Sequence, residues 1–176
     1  MARKVFAHAK SIYEIDVDFF VKANVKVLIA DLDNTLDSYR LFHPKPRAFD
    51  LKKRLEDAGI KLVIISNNKG RRVGSYAKDL DVPYVWSARK PFAGKINRFI
   101  KDNNLNKDEV MLVGDQLITD VGAANRAKIK VVLTEKLVKE DQWTTHINRI
   151  FDRPLRKRMR KKGLLPDWRE VYGKIK

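Results

Sequence analysis

The stretch Val25-Lys26-Val27-Leu28-Ile29-Ala30-Asp31-Leu32-Asp33-Asn34-Thr35-Leu36 decides the fold. Its first six residues have the length and composition of a strand buried in a parallel sheet. The run ends in two carboxylates one residue apart, then a threonine. Open α/β sheets bind ligands outside the carboxyl ends of their strands, so this strand delivers acids to a binding crevice. A simple turn would account for Asn34 and Thr35. It would not account for acids at a buried strand end, where an unpaired charge is costly.

The pattern continues outward from this strand. Upstream, Asp16 reads as the N-cap of a short helix, Val17 to Ala23, that buries Phe19 and Phe20. Downstream, Pro44 and Pro46 exclude a helix from 37–47. A helix then spans about Ala48 to Ala58, stopped by Gly59. Ile60 to Ile65 is a second buried strand, ending in Ser66-Asn67-Asn68. A helix from Arg71 to Leu80 and a short strand from Pro83 to Trp86 follow. Lys90-Pro91 opens a third helix with Phe92, Ile96, Phe99 and Ile100 at helical spacing. Glu109 to Val113 is a fourth strand, ending in Gly114-Asp115, with a helix from Thr119 to Ala127 after it. Ile129 to Leu133 is the fifth. Five strands alternating with helices specify a doubly wound parallel sheet, α/β in class. The expected division is a domain over 1–135, with residues 1–24 as its lead-in, and a basic helical extension over 136–176 packed on or trailing the domain.

The bulk composition narrows the possible functions. The 176 residues suffice for one domain with a real core. The absence of cysteine excludes disulfides and thiolate metal sites. No apolar run reaches bilayer length, and Met1 to Lys10 lacks a signal-peptide core, so the expected location is the cytoplasm. A net charge of +16 points to a polyanionic partner: nucleic acid, an anionic membrane or a phosphorylated substrate.

Polar groups stand at four expected strand ends or just beyond: Asp31 with Asp33, Ser66, Lys90, and Asp115 with Asp120. Two or three carboxylates can hold Mg²⁺ and leave positions open for a phosphate. A carboxylate beside Mg²⁺ and a lysine is ionised and can attack phosphorus. A second carboxylate can protonate the leaving oxygen and then deprotonate water. A hydroxyl and a lysine can hold the phosphoryl oxygens where charge accumulates.

These residues resemble the motifs of the haloacid dehalogenase superfamily. Asp31-Leu32-Asp33-Asn34-Thr35 matches the first motif, Ile65-Ser66-Asn67-Asn68 the second, Lys90 the third, and Gly114-Asp115-Gln116-Leu117-Ile118-Thr119-Asp120 the fourth. Lys90-Pro91, Val113 to Leu117 and the upstream Ser11-Ile12-Tyr13-Glu14-Ile15-Asp16 are similar to the YqeG-like branch of subfamily IIIA. That branch is similar to mitochondrial phosphatases acting on phosphatidylglycerophosphate. The resemblance implies a Rossmann-like fold and a phosphatase with Asp31 as nucleophile and Asp33 as general acid/base. It implies that Thr35 sets the motif loop, that Ser66 and Asn67 meet the phosphoryl group, and that Lys90 stabilises the charge. Asp31, the Asp33 carbonyl, Asp115 and Asp120 would hold Mg²⁺. An acid at Asp33 favours phosphoryl transfer over dehalogenation.

Neither interval between motifs leaves room for a cap domain, so the resemblance implies a capless member whose open site suits a bulky, surface-presented substrate. Residues 149–176 carry eleven Lys or Arg against three Asp or Glu, a net +8 and half of the whole. The expectation is a peripheral contact with anionic membrane, with Leu155, Met159, Leu164, Leu165 and Trp168 dipping into the interface, against the alternative of a solvated charge run that packs these residues on the domain. The alternatives are a phosphatase of soluble phosphomonoesters or phosphoproteins, and a less favoured nucleic-acid-associated protein using the same basic tail.

Overall fold

The structure is a computed structural model that describes residues 4–137 and 143–175, and over 143–151 the backbone only. Its strands are β1 (Ala7–Ala9), β2 (Val27–Asp31), β3 (Lys61–Ile65), β4 (Tyr84–Val85), β5 (Val110–Gly114) and β6 (Lys130–Thr134). All pair parallel in one sheet of order β1-β6-β5-β2-β3-β4. From β2 the chain steps outward to β3 and β4, then returns to the other side of β2 for β5 and β6. The direction of winding reverses at β2, which is where such sheets form their crevice.

The helices are α1 (Val17–Lys22), α2 (Pro46–Asp57), α3 (Gly70–Leu80), α4 (Gly94–Asp102), α5 (Gly122–Ala127), α6 (Trp143–Lys161) and α7 (Trp168–Tyr172). Alternate strand residues serve opposite faces of the sheet. Leu28, Ala30, Leu62 and Ile64 join a core with the lead-in, α2, α3 and Trp168. Val27, Ile29, Val63 and Ile65 join a second core with α4, α5 and Met159. This two-sided burial explains why the strands read as unbroken apolar runs. Phe19 and Phe20 are fully buried as expected, and Asp16 caps α1 by accepting from the Asp18 N–H.

Several local expectations are corrected. The sheet has a sixth strand, β1, which pairs with β6 through Ala7↔Val132 and Ala9↔Thr134. Three residues with a histidine in the middle carry no apolar run, so the edge strand exists only by virtue of its partner. Pro46 does not precede α2; it stands in its first turn, where the missing N–H is no loss. Lys90-Pro91 lies in a loop, and α4 opens at Gly94. The segment after β5 begins as a wide π turn over Leu117–Val121 before α5. Pro154 stands inside α6, and the adjoining Asp152 and Arg156 tie this part of the helix to the β5 loop.

The apolar residues of the tail pack on the domain. Met159 and Trp168 are buried, and Leu155 and Leu165 pack on the second core. Trp168 meets Phe19 edge-on at 5.9 Å. Of the five apolar residues expected at a membrane interface, only Leu164 is exposed. Burial on the domain removes the same apolar surface from water without a lipid partner. Arg153, Lys157, Arg158, Arg160, Lys161 and Lys162 remain exposed. Among the described residues, no helix is long and apolar enough to cross a membrane.

Candidate active site

The parallel register brings three strand ends level. Asp31 pairs with Ile65 on β3, and Ala30 with Val113 on β5. Ser66 and Asp115 therefore flank the Asp31 loop. Beyond Asp31 the chain turns tightly, with Asn34 in the left-handed region at φ 63° and its N–H bonded to the Asp37 carbonyl at 2.7 Å. Asp37 anchors this turn. It is fully buried, and its carboxylate accepts from Arg47 at 2.5 Å and from the Tyr76 hydroxyl at 2.7 Å.

Lys90 lies at the centre of the site. Its Nζ is 2.6 Å from Asp31 Oδ1 and 2.6 Å from Asp120 Oδ1, and all three residues are buried. Burial pushes the Asp31 carboxyl well above the ordinary carboxylate range. Lys90 pulls it back, while Asp120, Asp33 and Asp115 add to the rise. Burial opposes the Lys90 charge, but Asp120 and Asp31 outweigh it and hold the ammonium above its usual range. Asp31, Asp115 and Asp120 each offer a carboxylate oxygen, all within 4.8 Å of one another. An all-oxygen donor set of this size suits a hard divalent cation. The Asp120 side chain also accepts from the Gln116 N–H at 3.0 Å. It sits inside the cluster and does not cap α5, which has no side-chain cap.

Asp33 is turned away from this acid cluster. Its Oδ1 lies 2.6 Å from Arg72 Nη1, and its Oδ2 accepts from Ser66 Oγ at 3.3 Å and Asn68 Nδ2 at 3.1 Å. The sequence-based expectations for Asp31, Asp33, Ser66, Lys90, Asp115 and Asp120 thus converge on one place. Thr35 is buried beside them, with its hydroxyl making no hydrogen bond. Asn67, expected at the phosphoryl group, has its amide on the Lys90 backbone: it donates to the Lys90 carbonyl at 3.0 Å and accepts from the Lys90 N–H at 2.7 Å. It clamps the loop that presents Lys90, while Asn68 faces Asp33.

Arg72, Asp152 and Arg156 escaped the sequence reading. Arg72 falls in the apolar stripe of α3 beside Val73 and one turn before Tyr76, and a cation on a buried helix face was the available signal. Asp152 accepts from the Leu117 N–H at 2.7 Å and from Arg156 Nε at 2.8 Å. Arg156 donates to the Asp115 carbonyl and, at 3.1 Å, to the Thr134 carbonyl. One arginine of the basic run is therefore committed to the backbone of the site.

Fold and site together define an α/β protein whose acid and lysine centre lies at the switch point of a parallel sheet. The chain belongs to the haloacid dehalogenase-like hydrolase family, whose family model matches residues 4–134. It is 34% identical over 161 residues to the protein named probable phosphatase YqeG of Bacillus subtilis (strain 168), covering 92% of this chain and 93% of that one. Among solved structures it resembles a Legionella pneumophila protein assigned to subfamily III A of the superfamily. That match has a TM-score of 0.52 at 24% identity and covers 69% of this chain and 72% of that one. It also resembles the cobalt-bound deoxy-D-mannose-octulosonate 8-phosphate phosphatase of Haemophilus influenzae. There the TM-score is 0.50 at 15% identity, over 65% and 81% of the two chains. At these identities the two structures bear on the fold alone.

Proposed function

We propose that this chain is a Mg²⁺-dependent phosphomonoester hydrolase that works through a phosphoaspartate on Asp31. The chain is a phosphatase of the haloacid dehalogenase family related to YqeG. The finer reading is carried by one observation, the Lys90 ammonium held 2.6 Å from both Asp31 and Asp120 at the end of β2.

In this reading an Asp31 oxygen attacks phosphorus. The bond from phosphorus to the ester oxygen breaks, and its electron pair leaves with that oxygen. Asp33 supplies the proton and becomes a carboxylate. Water then attacks phosphorus while Asp33 takes its proton; the bond from Asp31 to phosphorus breaks, releasing phosphate. Lys90 offsets the phosphoryl charge, and Ser66 offers its hydroxyl to a phosphoryl oxygen. Asn67 supports the reaction indirectly, by fixing the Lys90 loop. Asp31, Asp115 and Asp120 would hold Mg²⁺, which would supply positive charge against the phosphoryl oxygens and keep Asp31 ionised.

We propose further that the substrate is bulky and surface-presented, with phosphatidylglycerophosphate as the example to test. The connections from β2 to β3 and from β3 to β5 hold only α2, α3, β4 and α4, so no inserted domain covers the strand ends. The contact of residues 149–176 with anionic membrane rests on the exposed charge of Arg153, Lys157, Arg158, Arg160, Lys161 and Lys162. The test is Mg²⁺-dependent phosphate release from phosphatidylglycerophosphate in vesicles, beside p-nitrophenyl phosphate, for wild type and Asp31→Asn. Lipid turnover abolished by the substitution supports the whole reading. Turnover of the soluble ester alone retains the mechanism and removes the lipid. Turnover that survives Asp31→Asn refutes the phosphoaspartate.

A further inference from the structure

The Asp33 carboxyl is the most exposed acid of the site, with 18% of its side chain open, so some group must hold it against rotation. Ser66 and Asn68 both reach its Oδ2, and both are neutral donors at 3.1 Å or longer. The third contact is of another kind. Arg72, in the first turn of α3 and 9% exposed, places Nη1 2.6 Å from Oδ1. Its Nη2 donates to the Ser38 carbonyl at 2.9 Å, so the guanidinium is itself tied to the far end of the Asp31 loop. One turn later Tyr76 holds Asp37 at 2.7 Å. The inner face of α3 thus braces the motif loop at two points, and only one touches the acid.

Packing alone does not account for an arginine here. Its Nε and Nη1 are buried and make no hydrogen bond, so Nη1 meets Asp33 Oδ1 as an ion pair alone. Such a donor costs about 1–3 kcal/mol, which an apolar side chain of similar length would avoid. A cation on the buried stripe is retained at a cost to stability, and Asp33 is the ionisable group it meets.

We propose that Arg72 is a positioning residue for Asp33, holding the carboxyl in the orientation from which it passes its proton to the leaving oxygen. This rests on the phosphoaspartate reading given above. The affected step is the first one: the bond from phosphorus to the ester oxygen breaks, and the proton moves from Asp33 to that oxygen. An alkyl phosphate, whose alkoxide is a poor leaving group, needs the proton. A p-nitrophenyl phosphate, whose phenolate leaves unaided, barely does. The two esters therefore separate positioning of the acid from general damage to the site.

The experiment compares kcat/KM, which reports no step later than expulsion of the leaving group, for glycerol 3-phosphate and p-nitrophenyl phosphate with Mg²⁺ present. Wild type, Arg72→Gln and Tyr76→Phe are measured. Arg72→Gln is expected to lower the alkyl value by about 10- to 100-fold, part of the contribution of general acid catalysis, and the aryl value by less than about 3-fold. Tyr76→Phe, which loosens the same helix and loop without touching Asp33, is expected to leave the ratio of the two values unchanged. Equal losses on both esters, or a ratio that shifts as much in Tyr76→Phe, would assign Arg72 to the scaffold and overturn the proposal. Should Arg72→Gln fail to fold, Arg72→Lys carries the same comparison. A wild type inactive on both esters and on phosphatidylglycerophosphate in vesicles would overturn the phosphatase reading itself, a result distinct from an unchanged ratio.

Discussion

Replacing Lys90 by Met removes the only cation within 2.6 Å of Asp31 and Asp120 among the described residues and leaves both acids buried. The lysine side chain is 3% exposed, and the two carboxylates are 6% and 0% exposed, so water cannot take its place. Removing one partner of a buried ion pair costs about 3–5 kcal/mol. For a chain of this size that lowers the melting temperature by about 6–20 °C. The loss should depend on pH. Asp31 already titrates above its ordinary value when folded, so its proton is bound more tightly in the native state. The native state is then favoured at pH values below the unfolded pKa, and that stability is lost as pH rises through the raised folded pKa. Without Lys90 the rise is larger. Lys90→Met should therefore lose more stability at pH 8 than at pH 5, and Mg²⁺ should restore part of it by binding only the native state. Urea unfolding with EDTA or Mg²⁺ across that range reads both effects. A loss below about 1 kcal/mol, or one independent of pH, would refute the assignment of Lys90 as the charge that makes this acid cluster tolerable.

Three further outcomes can be checked on the same material. Gly114→Ala would place a Cβ within 2.6 Å of the Asp120 side chain, so it should displace that acid, destabilise by about 1–3 kcal/mol and weaken Mg²⁺ binding in a calorimetric titration. Trp168→Ala empties a site against Phe19 and should cost about 3–5 kcal/mol in chemical denaturation, showing that the basic tail is part of the domain. Glu135 is held down to about 2, first by its hydrogen bond to His8 and then by Arg156 and Arg160. Its stabilisation is present above the ordinary carboxylate pKa and is lost as pH falls toward 2. Glu135→Gln should therefore flatten the acid limb of wild-type stability, and an unchanged limb would exclude this group.

The readability of the site followed a physical division. Asp31, Ser66 and Asp115 were legible because each ends a run of apolar residues, and a parallel sheet aligns such ends whatever the details of packing. Lys90 follows from its motif, although Lys90-Pro91 has the sequence of a helix start and α4 opens only at Gly94. The contacts of Asn67 and Asn68 were not legible because adjacent residues in a loop have no fixed facing, and only the positions of Lys90 and Asp33 decided which amide met which. Arg72 and Arg156 were hidden by composition: among 38 Lys and Arg, a cation that is buried and bonded looks in sequence like its solvated neighbours.

What the sequence by itself determined was the sheet, its doubly wound class and the acids at its switch point. Those depend on local periodicity and on rules of connection that hold for any such chain. What only the tertiary structure decided was the support of those acids: Arg72 and Asn68 on Asp33, Asn67 on the Lys90 loop, Arg156 behind Asp115, and Trp168 packed inward. These contacts join residues far apart in the chain, and their partners follow from how helices settle on the sheet. An amphipathic, basic tail carries the same pattern whether its apolar side meets a bilayer or a protein core. Here that side meets protein, Trp168 in the core with Phe19 and Met159 in the core with α5.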